Sequence, residues 1–306
     1  MPDLPYIDAE VLTRAVSWRQ AIDALGDALN SGLDVTAAPP RSRVPTAHGE
    51  MLLMPAESAG AVGVKLVGIA PGNTELGLSR IQALYVLFDP VTLAPRALLD
   101  GAALTALRTP AVTALAVRQL ARPDAAVLTV FGSGPQAEAH VHAIRAIRPI
   151  AAVSIVARHA GRADDLVARL RADGLDARAG TPDQVATSDI VVCATNSELP
   201  VFDGSRLAAH ACVAAIGAHR SDTRELDDQV LARAAQVVVE DRDTALREAG
   251  DIVLAIGAGA LTADRLTALA ELPGLRPAEG ITVFKSVGMA WQDLVVAEAA
   301  WAAIGA

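Results

Sequence analysis

Val130-Phe131-Gly132-Ser133-Gly134-Pro135-Gln136-Ala137 ends an apolar run that begins at Ala125, and it opens a stretch patterned as a helix. The order is strand, glycine turn, helix. A turn of the form Gly132-x-Gly134-x-x-Ala137 lets backbone N–H groups and a helix N-terminus approach a pyrophosphate. Such triplets arise by chance in chains rich in Gly and Ala. The strand before it and the helix after it make this one a dinucleotide turn. Gly132, Ser133, Gly134, Pro135, Gln136 and Ala137 are its candidate cofactor-binding residues.

Downstream of the turn the sequence alternates between short apolar runs and amphipathic stretches. Strands are expected at 125–131, 152–157, 190–194, 212–216 and 236–239, with helical patterns between several of them, as at 163–172. This rhythm predicts a Rossmann-type, doubly wound parallel sheet over 119–285, ending near 281–284. Upstream, Ser17-x-x-Gln20 reads as a capping box, and Ala21, Ile22, Leu25, Ala28 and Leu29 share one helical face. A loop at 37–44 carries Pro39, Pro40, Arg41 and Arg43. Runs at 51–54, 61–68 and 81–88 suggest a mixed or antiparallel sheet. Thr109-Pro110 reads as a helix N-cap followed by proline at the first helical position. Residues 1–118 are thus expected to form an α+β domain, completed by a C-terminal helix within 286–306.

Composition narrows the function classes. Apolar residues make up 52% of the 306 but aromatics only 3%, so the core is built from Ala, Val, Leu and Ile. That mix suits parallel strands under close-packed helices. The net charge of −9, without a block of like charge, argues against non-specific nucleic-acid binding. The longest apolar runs, such as 207–218, fall short of a membrane span. The opening MPDLPYIDAE lacks the basic and apolar regions of a secretory leader. A cytoplasmic protein is expected, with Cys193 and Cys212 as buried structural thiols and no metal site.

The second strand of the nucleotide fold indicates which dinucleotide binds. A NAD-preferring site usually has an acid there to grip the ribose hydroxyls. Here the strand ends in Arg158 and His159, with Arg162 close behind and no acid until Asp164. Cations at that place suit a 2′-phosphate. NADP(H) is therefore expected over NAD(H), which stays possible. Three further cations stand out upstream: Arg41 in the Pro-rich loop, Lys65 inside the apolar run G-V-K-L-V, and Arg108 before Thr109-Pro110. A lysine in an apolar strand is costly unless paired or functional. Surface snorkelling is its bland alternative, and a solvated charge is that of Arg41.

The chain resembles the ornithine cyclodeaminase/μ-crystallin family along nearly its whole length. The resemblance rests on L-M-P-A at 53–56, G-V-K-L-V at 63–67, L-L-D-G-A-A-L-T-A-L-R-T at 98–109 and F-G-S-G-P-Q-A at 131–137. It continues through A-I-G-A at 215–218, R-E-L-D-D at 224–228, E-A-G-D at 248–251 and F-K-S-V-G-M-A at 284–290. The resemblance implies a homodimer acting on a small amino or imino acid. It implies that Arg41, Lys65 and Arg108 hold the substrate carboxylate, although Arg43 stands only two residues from Arg41. It places Gln82 and Met54 at the substrate and Thr109 at the cofactor phosphates. Thr195 and Asn196 would lie near the ribose, Val287 and Gly288 near the nicotinamide.

One departure shapes the expected reaction. Ring-forming cyclodeaminases of this family carry an aspartate just beyond the A-x-G-x turn. Here His219 takes that place, with Asp222 three residues on. An imidazole does not attract a terminal ammonium as a carboxylate does. The expectation is therefore an NADPH-dependent reductase of a cyclic ketimine carboxylate of the pyrroline- or piperideine-2-carboxylate type. Lys65 and His219 are its candidate proton-transfer residues. An ornithine cyclodeaminase, an alanine-dehydrogenase-like enzyme and a non-catalytic dinucleotide binder are the alternatives.

Overall fold

The chain enters through a short strand β1 (Tyr6–Ile7) and helix α1 (Ala9–Ala15), then α2 (Trp18–Asn30). Helix α2 starts at the expected capping box, in which the Ser17 N–H donates to Gln20 Oε1 at 2.9 Å. Its apolar face, with Ala21, Ile22 and Leu25, is fully buried. Five strands follow: β2 (Ser42–Thr46), β3 (Gly49–Glu57), β4 (Val62–Ile69), β5 (Ile81–Phe88) and β6 (Pro95–Asp100). They form a six-stranded sheet in the order β1-β6-β5-β4-β3-β2. All pairs are antiparallel except β1 with β6. This computed structural model describes residues 4–305 apart from Ala38, Arg276 and Pro277.

Two upstream expectations are corrected. The loop at 37–44 ends early, because Arg43 and Val44 pair with Leu52 and Met51 as part of β2. Thr109-Pro110 does not start a helix. Helix α3 runs unbroken over Gly101–Leu120, with Pro110 inside it. Its start is set by Asp100, whose Oδ1 accepts from Ala102 N–H (2.9 Å) and Ala103 N–H (3.0 Å). An internal proline costs about 3 kcal/mol in lost hydrogen bonding and steric clash. Burial of Ala111, Val112, Ala114, Ala116 and Val117, each 0% exposed, outweighs that cost.

Beyond α3 the strand–helix alternation begins. It comprises β7 (Val127–Phe131), α4 (Pro135–Arg145), β8 (Ala152–Val156), α5 (Ala160–Ala172), β9 (Ala177–Ala179), β10 (Ile190–Cys193) and β11 (Cys212–Ala215). Then come α6 (Asp228–Arg233), β12 (Ala234–Val239), α7 (Arg242–Glu248), α8 (Gly250–Gly257), β13 (Leu266–Ala268) and β14 (Ile281–Lys285). The eight strands pair in parallel in the order β13-β12-β14-β11-β10-β7-β8-β9. Strand β7 therefore sits where the winding reverses, with β8 on one side and β10 on the other. Residues of β10 and β11 are 0% exposed, as strands covered on both faces require. Cys193 and Cys212 lie in these strands as free, buried thiols. Burial pushes the Cys212 thiol up to about 11.

The last helix, α9 (Ala290–Gly305), packs on α2 and on β3, β4 and β5. The chain divides into two units, Met1–Val112 with Gly288–Ala306, and Thr113–Val287. The first holds the mixed sheet with α9. The second holds the parallel sheet.

Candidate active site

The ladder of the mixed sheet sets Met54 opposite Lys65, Lys65 opposite Tyr85, and Tyr85 opposite Leu99. Because paired residues point to one face, these four side chains form a row across the sheet. All are buried, Lys65 at 2% exposure. Alternation along β4 thus carries Lys65 to the inside, and the snorkelling alternative does not hold. Continuing the ladder one position beyond the Ser42–Leu53 pair sets Arg41 opposite Met54.

The partner that makes burial of Lys65 tolerable comes from α9. Lys65 Nζ donates to Asp293 Oδ2 at 2.7 Å and Oδ1 at 2.9 Å, and to Thr105 Oγ1 at 3.2 Å. Asp293 is 0% exposed. Its Oδ1 also accepts from Arg108 Nε at 3.1 Å, while Arg108 Nη1 donates to Gln292 Oε1 at 2.9 Å. Two consecutive residues of α9 therefore orient the Arg108 guanidinium. Gly288, at φ +81, lies against it. Arg41 Nη2 donates to the Gly288 carbonyl at 2.9 Å.

Burial is the largest influence on Lys65 and favours the neutral amine. The Arg108 charge adds to it, Asp293 opposes it, and Arg41 contributes in the same direction as Arg108. The outcome is an ammonium pulled down to about 8. Tyr85, on the same row, is held neutral by burial and by the nearby Asp293 and Glu298 carboxylates.

The other expected substrate residues fall out differently. Arg43, two residues on and so on the same face, pairs with Glu50 across the β2–β3 hairpin at 2.9 Å, whereas Arg41 bonds Gly288 beside Arg108. Met54 stands beside Lys65. Gln82 does not join them. It pairs with Gly68, three positions along β5 from Tyr85, which puts its side chain on the opposite face. It is exposed and donates to the Ser79 carbonyl at 3.2 Å. Thr109 is buried mid-helix in α3, next to Arg108. Helix α3 therefore does not begin at Arg108, and the helix start beside its guanidinium is that of α9, through Gln292.

In the parallel-sheet unit the glycine turn has the geometry its spacing requires. Gly132 sits at φ +118, and a Cβ there would stand 2.4 Å from the Ala194 carbonyl oxygen at the end of β10. Gly134 is the N-cap of α4, with no side-chain cap and no atom within 4 Å of where a Cβ would be. Pro135 occupies the first turn, and Ala137 is fully buried against β7. Ser133 and Gln136 are half-buried. An uncapped helix start facing open space at a strand-order reversal fits a dinucleotide pyrophosphate. Arg158 and His159 follow β8 directly and are exposed, as is Arg162. His159 is the N-cap of α5.

Further strand ends of this sheet are tied by a buried network that sequence reasoning missed. Glu225 accepts from Thr195 N–H (2.8 Å) and Oγ1 (2.7 Å) beyond β10, and from Gly217 N–H (2.6 Å) beyond β11. Asp251 accepts from the N–H groups of Glu225 (2.7 Å) and Leu226 (2.8 Å) and pairs with Lys285 at 2.8 Å. Lys285 also donates to the Ala218 carbonyl. Val287 N–H donates to Glu240 Oε2 at 2.7 Å. These bonds fix Thr195 and Val287, whereas Asn196 is exposed. His219 is exposed too, with Nδ1 at 3.2 Å from the Gly217 carbonyl. Asp222 pairs with Arg220.

Asp293, Gln292 and Thr105 are the unforeseen members of the Lys65 cluster. A carboxylate inside the apolar helix A-W-Q-D-L-V-V-A carries the same warning as a lysine inside an apolar strand.

Comparison with known proteins agrees with this architecture. The model of the ornithine cyclodeaminase/mu-crystallin family matches residues 8–303. A Delta(1)-pyrroline-2-carboxylate reductase of Bacillus cereus is 34% identical over 281 residues, covering 86% of this chain and 85% of that protein. The solved structure of the Thermococcus litoralis Delta(1)-pyrroline-2-carboxylate reductase, in complex with NADH and L-proline, superposes with a TM-score of 0.90. It is 28% identical, with 98% of this chain and 97% of that one covered. An archaeal alanine dehydrogenase dimer with bound NAD gives a TM-score of 0.90 at 29% identity, over 98% of this chain and 95% of that one. With its glycine turn, its buried lysine and a match over nearly its full length, the chain belongs to the ornithine cyclodeaminase/mu-crystallin family.

Proposed function

We propose that the chain is an NADPH-dependent oxidoreductase that reduces a cyclic ketimine carboxylate of the pyrroline- or piperideine-2-carboxylate type. The observation that carries this reading is the cluster in which buried Lys65 and Arg108 share one carboxylate, Asp293, with half-buried Arg41 bonded to Gly288 beside Arg108. Arg41 and Arg108 bind the substrate carboxylate and orient the imine. Lys65 donates a proton to the imine nitrogen. A lysine held near 8 is charged at neutral pH yet releases its proton readily. The reduced dinucleotide, when bound, supplies the hydride that the imine carbon takes up. The naming of a relative for pyrroline-2-carboxylate and the capture of L-proline by another support the substrate class.

Arg158, His159 and Arg162 would hold the dinucleotide's 2′-phosphate, and no acid stands there to grip a free ribose. Gly132 to Ala137 would take the pyrophosphate. Two of the solved relatives hold NADH and NAD, so the reading rests on these residues of this chain and not on the relatives.

Ornithine cyclisation is the rival chemistry. His219 in the place of an aspartate, bonded to its own strand end, supports reduction instead. The proton path therefore runs through Lys65, and His219 is left out of it.

A homodimer is proposed through the outer face of the mixed sheet. There Leu53, Leu66 and Leu84 align across three strands, beside Pro55, Val64 and Val86, all only half-buried, and Gln82 lies at the margin. A patch of this kind marks an interface.

The test is NADPH oxidation with Δ1-pyrroline-2-carboxylate and Δ1-piperideine-2-carboxylate, beside pyruvate with ammonia and ornithine alone. Turnover of the cyclic imines is expected. Proline and ammonia from ornithine without net NADPH use would overturn the reading.

A further inference from the structure

Of the 26 basic residues of the chain, Lys65 and Lys285 are the two lysines; the others are arginines. Both lysines are 2% exposed, and each is paired with a fully buried aspartate, Asp293 in one unit and Asp251 in the other. Elsewhere the chain uses arginine for positive charge. Arginine cannot release its proton, whereas lysine can. The Lys65 pair has a second peculiarity: its aspartate is shared with Arg108, through Oδ1.

We propose that Asp293 is a positioning residue for the reaction, holding the Lys65 side chain as an oriented proton donor. This rests on the reading of Lys65 as the proton donor. The geometry carries it. Nζ lies within 2.9 Å of both carboxylate oxygens. From the other side Thr105 Oγ1 accepts from Nζ, because its own hydrogen is committed to the Gly101 carbonyl at 2.8 Å. The ammonium is thus held between α3 and α9.

The groups facing Lys65 from each packed element explain why the carboxylate is needed. From α3 comes the Arg108 guanidinium, and from the segment before β2 comes Arg41. Both repel a charged lysine. From β3 comes uncharged Met54, and from β5 comes Tyr85, held neutral. From α9 comes Asp293, while Glu298 further along is bonded to Ser58. Remove Asp293 and each remaining influence on Lys65, burial included, pushes toward the amine. In the step itself the Lys65 Nζ–H bond breaks and an N–H bond forms at the imine nitrogen. The C=N bond becomes C–N as the carbon takes the hydride, and the reduced dinucleotide is oxidised by two electrons. Lys65 then regains its proton from water.

The test exploits the two-lysine composition. Protein labelled with 13C at lysine Cε shows two resonances, assigned with a Lys65→Arg variant, and each is titrated in the full-length protein. In the wild type, Lys65 is expected to titrate near 8, with the alkaline limb of kcat at the same pH. In Asp293→Asn both should move down together by about one unit, a tenfold change in acid dissociation. The Lys285 resonance should keep its wild-type position at neutral pH, which reports an intact parallel-sheet unit. A Lys65 titration unmoved by Asp293→Asn overturns the proposal. A moved titration with an unmoved kcat limb overturns the proton-donor reading on which it rests. Should Asp293→Asn not fold, Asp293→Glu decides. The charge is kept on a longer arm, so Lys65 should still titrate near its wild-type pH while kcat falls. An unchanged kcat overturns the positioning role.

Discussion

Gly288 and Arg108 are fitted so closely that a Cβ on Gly288 would stand 2.7 Å from Arg108 Nη1 and 3.1 Å from Nη2. The glycine is at φ +81, a conformation that costs an L-residue roughly 1–2 kcal/mol. Its carbonyl meanwhile accepts from Arg41 at 2.9 Å. One residue therefore seats both arginines of the carboxylate cluster. Gly288→Ala should lower the melting temperature by a few degrees and misplace the guanidinium. Loss of a charged hydrogen bond is worth about 1.5–3 kcal/mol. The expected result is a KM for the imino acid raised at least about tenfold. An unchanged KM in steady-state assays would count against the carboxylate-binding role.

Lys65→Arg separates charge from proton transfer. The variant keeps the positive charge beside Asp293 but cannot give the proton up. General acid catalysis is worth about 10²–10⁴ in rate. A kcat loss of that order is expected in NADPH-oxidation assays, while fluorescence titration shows NADPH still bound. Near-wild-type turnover would remove Lys65 from the proton path. His219→Ala is the matched control. Its ring bonds its own strand end, so kcat/KM should stay essentially unchanged.

These predictions draw on parts of the chain that differ in how readily they are read. The glycine turn was legible because everything that defines it lies within eight residues and two flanking elements. The strands at 190–194 and 212–216 were legible from unbroken apolar runs, and that at 81–88 from a run broken only by Gln82. Lys65 was flagged by the cost of burying an amine, but its partner lies 228 residues away, and no local pattern joins the two. Gln82 shows the converse limit. The resemblance brought it to the substrate, yet strand register decides the face, and an odd number of steps from Tyr85 turns it outward. At Pro110 a sound local rule lost to packing, since the buried alanines and valines that follow hold α3 together through the proline. The Glu225–Asp251–Lys285 network was present in the quoted motifs R-E-L-D-D, E-A-G-D and F-K. Only the fold shows that they meet.

In the proposed NADPH site, Arg158 is the residue assigned to the 2′-phosphate. A charge-assisted bond to a phosphate is worth about 1.5–3 kcal/mol. Arg158→Ala should weaken NADPH about ten- to a hundredfold and leave NADH unaffected, as read by quenching titrations with each. Arg158→Asp should go further and reverse the order, since a carboxylate repels the 2′-phosphate and accepts from the free hydroxyl. Equal losses for both dinucleotides would place Arg158 outside the 2′-phosphate site.

Activity and stability should respond to pH in opposite directions through Lys65. Its ammonium is lowered from an ordinary 10.5 to about 8. The folded protein therefore binds fewer protons at this site than the unfolded chain between those two values. Stability rises with pH wherever the unfolded state binds more protons. The cost of burying the charge is thus full below pH 8 and relieved progressively up to 10.5, a change of about 3 kcal/mol by the pKa difference. Over the same window the proton donor is lost, so kcat should fall with a limb near pH 8. Lys65→Met lacks this titration. The difference in unfolding free energy between Lys65→Met and wild type should shift in favour of the wild type as pH rises from 8 toward 10.5. Denaturant titrations at matched pH measure it. A difference independent of pH would mean that Lys65 is not held as the strained ammonium on which its reactivity depends.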